Sequence, residues 1–258
     1  MLPRLTMSEQ ENSLRCDYVP GCGYKIWQDA KEFCYTTDAI FLGNFPHVVR
    51  KAKVLELGCG TGAISMLLES RGAAEVTALD CNPQVTRLVR QSVADNSLQD
   101  KFTVIDGDLR NYKQLLQPES MDLVASNPPY RNSGNVRQVG TAACHEVTST
   151  LEDFFRAAAF AVRYRGRFAL VQLPERFAES MQLALKYGLQ PKRLQWVHSK
   201  IDKPAWIFLM EMQKGGSYGL DVLPPLIMYN QDGSYTEQVK NSMSLLLNNL
   251  NGRENVRI

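Results

Sequence analysis

From Lys53 onward the chain alternates between short apolar runs and longer segments whose apolar positions recur every three to four residues. The first kind predicts strands at 53–57, 76–80, 102–106 and 121–126, and the second predicts helices at 63–71, 83–95 and 150–163. Strands separated by helices of crossover length predict a parallel sheet. A strand at 167–172, a helix at 175–187 and strands at 189–197 and 205–212 follow, and the final pair, with no helix between, is expected to be antiparallel. Ahead of this block, 14–50 predicts a short hairpin turning at Pro20-Gly21-Cys22-Gly23 and a helix through Ala39–Phe45, together an N-terminal cap. Residues 1–13 are polar and expected to be disordered, and 131–145 predict a polar, glycine-bearing mobile loop. Residues 236–249 have helical spacing and form, with the rest of 236–258, a C-terminal tail.

The strand ends carry the chemistry. Val54-Leu55-Glu56-Leu57-Gly58-Cys59-Gly60-Thr61-Gly62 runs from a strand into closely spaced glycines and then a helix, the pattern of a nucleotide-binding turn. Its spacing is G-x-G-x-G, and Glu56 stands where a pyrophosphate would be repelled and a cationic ligand attracted. Asp80 ends the next strand 18 residues beyond Gly62, close to the roughly 20-residue offset at which an acid grips a ribose diol. Asp108 follows the strand 102–106 and offers an acceptor to an adenine amino group, with Leu109 against the ring. After 121–126 comes Asn127-Pro128-Pro129-Tyr130. An amide oxygen, a backbone carbonyl and an aromatic face there suit a planar group bearing an exocyclic NH₂. In a parallel sheet all four strand ends converge on one crevice.

These residues resemble a class I S-adenosylmethionine-dependent methyltransferase of the amino-methylating type. Further stretches extend the likeness, among them Gly23-Tyr24-Lys25-Ile26-Trp27-Gln28, Thr37-Asp38-Ala39, Pro174-Glu175-Arg176-Phe177 and Pro191-Lys192-Arg193-Leu194-Gln195-Trp196. Over roughly residues 14–240 the chain is similar to the bacterial tRNA1(Val) (adenine-N6)-methyltransferase family. The resemblance implies an α/β, Rossmann-like fold over 51–235, with a seven-stranded, mostly parallel sheet and a C-terminal antiparallel strand. It implies S-adenosylmethionine bound by Glu56, Gly58, Gly60, Gly62, Asp80, Cys81, Asp108, Leu109 and Asn127, and Asn127, Pro128 and Tyr130 as the catalytic corner. Hydrogen bonds from the target amine to Asn127 Oδ1 and the Pro128 carbonyl would favour a more tetrahedral nitrogen, while Tyr130 stacks on the unstacked base. Pro129, Arg131, Arg137, Arg193, Lys200 and Lys203 are the expected substrate contacts. Lys25, Gln28, Thr37 and Asp38 either close over the methionine end or, for Asp38, cap or salt-bridge the helix.

Composition fits this picture. The 258 residues are 44% hydrophobic and 22% charged, ordinary for a single globular enzyme domain with short additions. No apolar run approaches a membrane span, and the start has no signal-peptide core, so a cytoplasmic protein is expected. Six scattered cysteines have no metal-ligand spacing, so free thiols and no metal are expected, with Cys59 and Cys81 as small loop fillers. Trp27, Trp196 and Trp206 are expected in or near the core.

Net charge is only +2, but unevenly shared: 13 Lys+Arg stand against 16 Asp+Glu in 1–126, and 16 against 11 in 127–258. Residues 163–203 hold nine cations against three acids, the footprint of a phosphate backbone if it flanks the crevice, and otherwise an ordinary solvated surface. With the resemblance, that tract favours tRNA as partner of a monomer. Protein glutamine amide, guanine N2 and DNA adenine remain alternatives as acceptors, and a non-catalytic RNA-binding protein is the rival class. His145-Glu146 either lines the substrate mouth or starts a helix, and His198 either touches RNA or is structural.

Overall fold

The computed structural model describes residues 13–30, 34–130 and 149–244. The expected loop 131–145, with Arg131, Arg137 and His145-Glu146, lies outside the described residues, as do most of 1–13 and the tail after Ser244. A hairpin of β1 (Leu14–Tyr18) and β2 (Lys25–Asp29) precedes helix α1 (Thr37–Asn44). Then follow β3 (Lys53–Leu57), α2 (Ala63–Ser70), β4 (Glu75–Asp80), α3 (Pro83–Asp95), β5 (Phe102–Asp106), the short α4 (Tyr112–Leu115) and β6 (Met121–Ser126). The second half holds α5 (Leu151–Ala161), β7 (Val162–Gln172), α6 (Phe177–Lys186), β8 (Leu189–His198), β9 (Ala205–Lys214), β10 (Asp221–Val222), β11 (Leu226–Ile227) and α7 (Glu237–Ser244).

The seven long strands lie in the order β8-β9-β7-β6-β3-β4-β5. β3 to β7 run parallel, and β9 is antiparallel to both β7 and β8, as the two adjacent late strands predict. The expectation of seven strands needs one correction: β10 and β11 each add two residues parallel to β8, giving a nine-stranded sheet. Two residues carry no periodicity, so such strands leave no sequence signal. The helix expected over 150–163 also ends early, at Ala161, and the next strand begins at once. Val162 pairs with Met121, and an irregularity then brings Arg167 opposite Leu123, with Arg165 at φ 64° between them.

Local chemistry explains the helix starts. Asn82 accepts a hydrogen bond from the Gln84 N–H at 3.0 Å and Pro83 opens α3, satisfying an orphan donor where proline loses nothing. Thr150 and Asp153 form a reciprocal capping box at α5, ordering the residues that follow the crevice.

Both faces of the sheet are covered. Ile40 and Leu42 of α1 and Met66 and Leu68 of α2 pack with Ala125 and Val171 on one face. Phe154 and Phe155 of α5 pack with Leu57, Phe168, Leu170 and Phe208 on the other. The Phe155 and Phe168 rings meet edge to face at 5.3 Å, fixing α5 against β7. The hairpin forms its own two-stranded sheet and docks on α3, where Ser92 Oγ accepts from the Trp27 N–H at 2.8 Å and Asp95 from the indole N–H at 2.8 Å.

Candidate active site

Register brings the motif residues to one edge. Leu57 of β3 lies beside Leu79 of β4 and Ser126 of β6, and Asp80 lies beside Asp106 of β5. Parallel strands therefore deliver Gly58, Asp80 and Asn127 to the same carboxyl edge, one after another across three neighbours. The buried Ser126 hydroxyl donates to the Leu57 carbonyl at 2.8 Å, tying the glycine loop to the Asn-Pro-Pro-Tyr corner.

The loop is held open by backbone that only glycine adopts comfortably. Gly58, Gly60 and Gly62 have φ of 67°, 50° and 82°. A Cβ on Gly58 would lie 3.3 Å from the Phe154 ring, and one on Gly62 would lie 3.1 Å from Val89. The Gly58 and Cys59 N–H groups both donate to the Leu79 carbonyl, at 2.8 and 3.0 Å. Asp80 accepts from the Gly60 N–H at 3.0 Å and the Asn82 N–H at 2.9 Å, so it ties the loop to the start of α3.

Glu56 lies beneath the loop, 2% exposed, and accepts from the Ser65 N–H at 2.8 Å and the Ser65 hydroxyl at 2.5 Å. Burial pushes its carboxyl up to about 8, against the two Ser65 hydrogen bonds that favour the charged form. Asp108 is clamped by the Arg110 guanidinium, with Nε 2.8 Å from Oδ2, and accepts from the Arg110 N–H at 2.9 Å. That clamp holds the Asp108 carboxyl below its usual range. Leu109 is buried beside it. Cys81 is exposed, whereas Cys59 is buried and its thiol is pushed well up by burial. The described cysteines are free thiols, and the described residues hold no cluster of metal-ligand type.

At the corner, Pro128 is buried, Pro129 exposed, and Asn127 and Tyr130 half-buried. The Tyr130 hydroxyl donates to Oδ2 of Asp38 at the start of α1. Asp38 is 3% exposed and its other oxygen, Oδ1, has no hydrogen-bond partner. Its side chain stands in the first turn of α1 and reaches across to the corner. Sequence spacing gave no sign of this bond between residues 92 apart.

Other expected residues separate. Lys200 and Lys203 occupy the β8–β9 turn, which follows the carboxyl end of β8 and so lies on the same edge as Asn127. His198 braces that turn, its Nδ1 2.7 Å from the Lys203 carbonyl oxygen. Arg193 lies midway along β8, paired with Glu211 of β9 and 3.7 Å from its carboxylate. The basic tract is dispersed likewise, with Arg163 on Asp122, Arg167 on Glu211, Arg176 on Glu179 and Lys186 on Glu152. Gln28 is buried, its amide donating to Asp17 at 2.5 Å and accepting from the Tyr35 N–H at 3.0 Å.

The arrangement fits S-adenosylmethionine. Glycines at positive φ admit a close backbone approach, and the unpartnered buried Asp38 oxygen suits an ammonium donor. The methyltransferase small domain model matches residues 30–187. The tRNA1(Val) (adenine(37)-N6)-methyltransferase of Bacteroides fragilis is 25% identical over 70% of this chain and 77% of its own length. The enzyme of the same name from Aeromonas hydrophila is 25% identical over 78% of this chain and 85% of its own. Among solved structures, a predicted O-methyltransferase from Agrobacterium tumefaciens superposes with a TM-score of 0.67 at 22% identity, over 80% of this chain and 95% of that one. No helix among the described residues is long and apolar enough to cross a membrane. The chain belongs to the methyltransferase small domain family and is therefore a methyltransferase.

Proposed function

We propose that this enzyme methylates the exocyclic N6 of an adenine in tRNA, at position 37 in the anticodon loop of tRNA1(Val). The observation that carries the reading is the juxtaposition of Asn127 and Tyr130 with the glycine loop, linked through Ser126 and Leu57. The names of the relatives supply the acceptor's identity.

S-adenosylmethionine, when bound, supplies a methyl group on a sulfonium, which is a good leaving group. The protein's part is then chiefly alignment. Glu56 and the backbone of Gly58, Gly60 and Gly62 form the wall at the methionine end, with Asp38 Oδ1 as a further acceptor there. Asp80 and Cys81 face the ribose, and Asp108 and Leu109 the adenine ring. Asn127 Oδ1 and the Pro128 carbonyl accept the two N6–H bonds of the target, so that its lone pair turns toward the methyl group. Tyr130, anchored through its hydroxyl to Asp38, offers its ring in place of the target base's lost stacking neighbour. The proton leaves nitrogen after methyl transfer, so no general base precedes attack.

Pro129, Arg131, Arg137, Lys200 and Lys203 are the RNA-side residues of this reading, with Arg193 farther off. Residues 51–235 form the catalytic unit and 14–50 its cap, working as a cytoplasmic monomer without metal. Purified protein incubated with labelled cofactor and, separately, tRNA, rRNA, DNA and release-factor protein tests the substrate class. Label in tRNA is expected; label on protein glutamine instead would replace the acceptor.

A further inference from the structure

A polar pocket lies beside the ends of α1 and α2, against β7, β9 and β8. Its volume is about 440 Å³, within the range of small-ligand sites, and Asn44, Phe45, Pro46, His47, Arg71, Arg167, Arg193 and Glu211 surround it. The topology fixes its position. Arg71 follows the end of α2 and Phe45 the end of α1, and helices that run back along a parallel sheet end at its amino edge. Arg167 lies level with Leu123 and Glu211 with Ala125, four and two residues before Asn127, and Glu211 and Arg193 stand two and three strands across the sheet from β6.

The Arg167 and Arg193 guanidinium groups meet the Glu211 carboxylate and Arg71 lines the same pocket, leaving two positive charges. Glu211 is fully buried and already occupied: it accepts from Arg167 Nη1 at 2.6 Å and from the His47 N–H at 2.7 Å. Arg71 donates to the Gly43 and Pro46 carbonyls at 2.6 and 2.8 Å, which pins its plane against the end of α1. Arg193 donates to the Phe45 carbonyl at 3.1 Å and stacks on the Phe45 ring at 4.8 Å. These bonds take four of the fifteen N–H donors of three guanidinium groups, so the side chains are oriented while donors remain for a ligand. Burial and the charge of Arg193 pull the Arg71 pKa down, a penalty that an anion would relieve. The exposed His47 side chain stands at the mouth, while its backbone serves Glu211.

We propose that this cavity binds a phosphate group, with Arg71, Arg167 and Arg193 as its donors. Planar guanidinium forks held from behind match phosphate oxygens, and mutual repulsion among the cations favours an anion between them. The phosphate belongs either to a free ion or to the backbone of the RNA substrate; only the second source rests on the function proposed above.

Isothermal titration of the full chain with inorganic phosphate, at constant ionic strength, tests the site without reference to catalysis. Binding to the wild type, weakened at least tenfold in both Arg193→Gln and His47→Glu, is expected. Arg167 is left intact because its removal would strand the buried Glu211, and thermal melts would verify that both variants fold. A parallel arm measures tRNA binding by the same proteins. Loss of RNA affinity in the variants, with phosphate as competitor, assigns the group to the RNA backbone; unchanged RNA affinity assigns it to a free anion. No phosphate binding by folded wild type, together with unaltered RNA binding by the variants, overturns the proposal. Phosphate binding that both folded variants retain also overturns it, since the ion then sits elsewhere.

Discussion

The Tyr130 hydroxyl donates to the buried carboxylate of Asp38, joining the Asn-Pro-Pro-Tyr corner to the first turn of α1 across 92 positions of sequence. The bond couples the aromatic face of the acceptor corner to the segment that precedes the central sheet. It also leaves Asp38 Oδ1 as the unpartnered oxygen of a residue only 3% exposed. Burial raises the Asp38 carboxyl, and the Tyr130 bond works against that rise.

Tyr130→Phe keeps the ring and removes the donor. Leaving the Asp38 carboxylate without it should cost about 1–3 kcal/mol of stability, read as a lower denaturant midpoint. Methyl transfer should fall less in Tyr130→Phe than in Tyr130→Ala, because only the alanine loses the stacking face. Equal losses in kcat would show that the ring contributes nothing beyond its anchor.

Asn127→Ala removes the proposed acceptor of the target N–H. The loss of one preorganised group in comparable sites is about 2.7–4 kcal/mol, or 10²–10³ in kcat. Cofactor affinity should change far less, and a titration of the variant separates the two effects.

Glu56 carries a pH signature. Its folded-state pKa of about 8 lies above the unfolded carboxylate value, so the folded protein binds the extra proton between roughly pH 4.5 and 8. The ligand-free protein therefore loses stability through this group as pH rises across that window, and the loss levels off above it. Glu56→Gln keeps an oxygen for Ser65 and removes the titration. Its melting temperature should fall less steeply than the wild type's from pH 5 to 8, while its cofactor affinity drops. A variant with an unchanged slope would contradict the burial argument.

Gly62→Ala tests the loop. At φ 82°, with Val89 3.1 Å from the new Cβ, the substitution should strain the backbone by about 1–3 kcal/mol. Cofactor binding should weaken as the loop shifts, measured by calorimetry beside a thermal melt.

Much of this was legible in the sequence because each signal was local. The 3.6-residue and short-run patterns located the seven long strands, and the glycine spacing, Asp80 and Asn127 each sit at a strand end that a parallel sheet brings to one edge. Long-range pairing was not legible. The Tyr130–Asp38 bond depends on how α1 packs against the corner. The cations of 163–203 form a run in sequence, yet alternate strands and helix ends send them to opposite edges, where acids neutralise several. Two-residue β10 and β11 are fixed by the free edge of β8 rather than by their own composition.

The most direct test of the central claim is nucleoside mass spectrometry of unmodified tRNA1(Val) transcript after incubation with enzyme and S-adenosylmethionine. The account predicts N6-methyladenosine in one stoichiometric position, lost when adenine 37 is replaced by guanine and absent with Asn127→Ala. Methylation that persists without adenine 37, or appears on a ring nitrogen instead of N6, would contradict it.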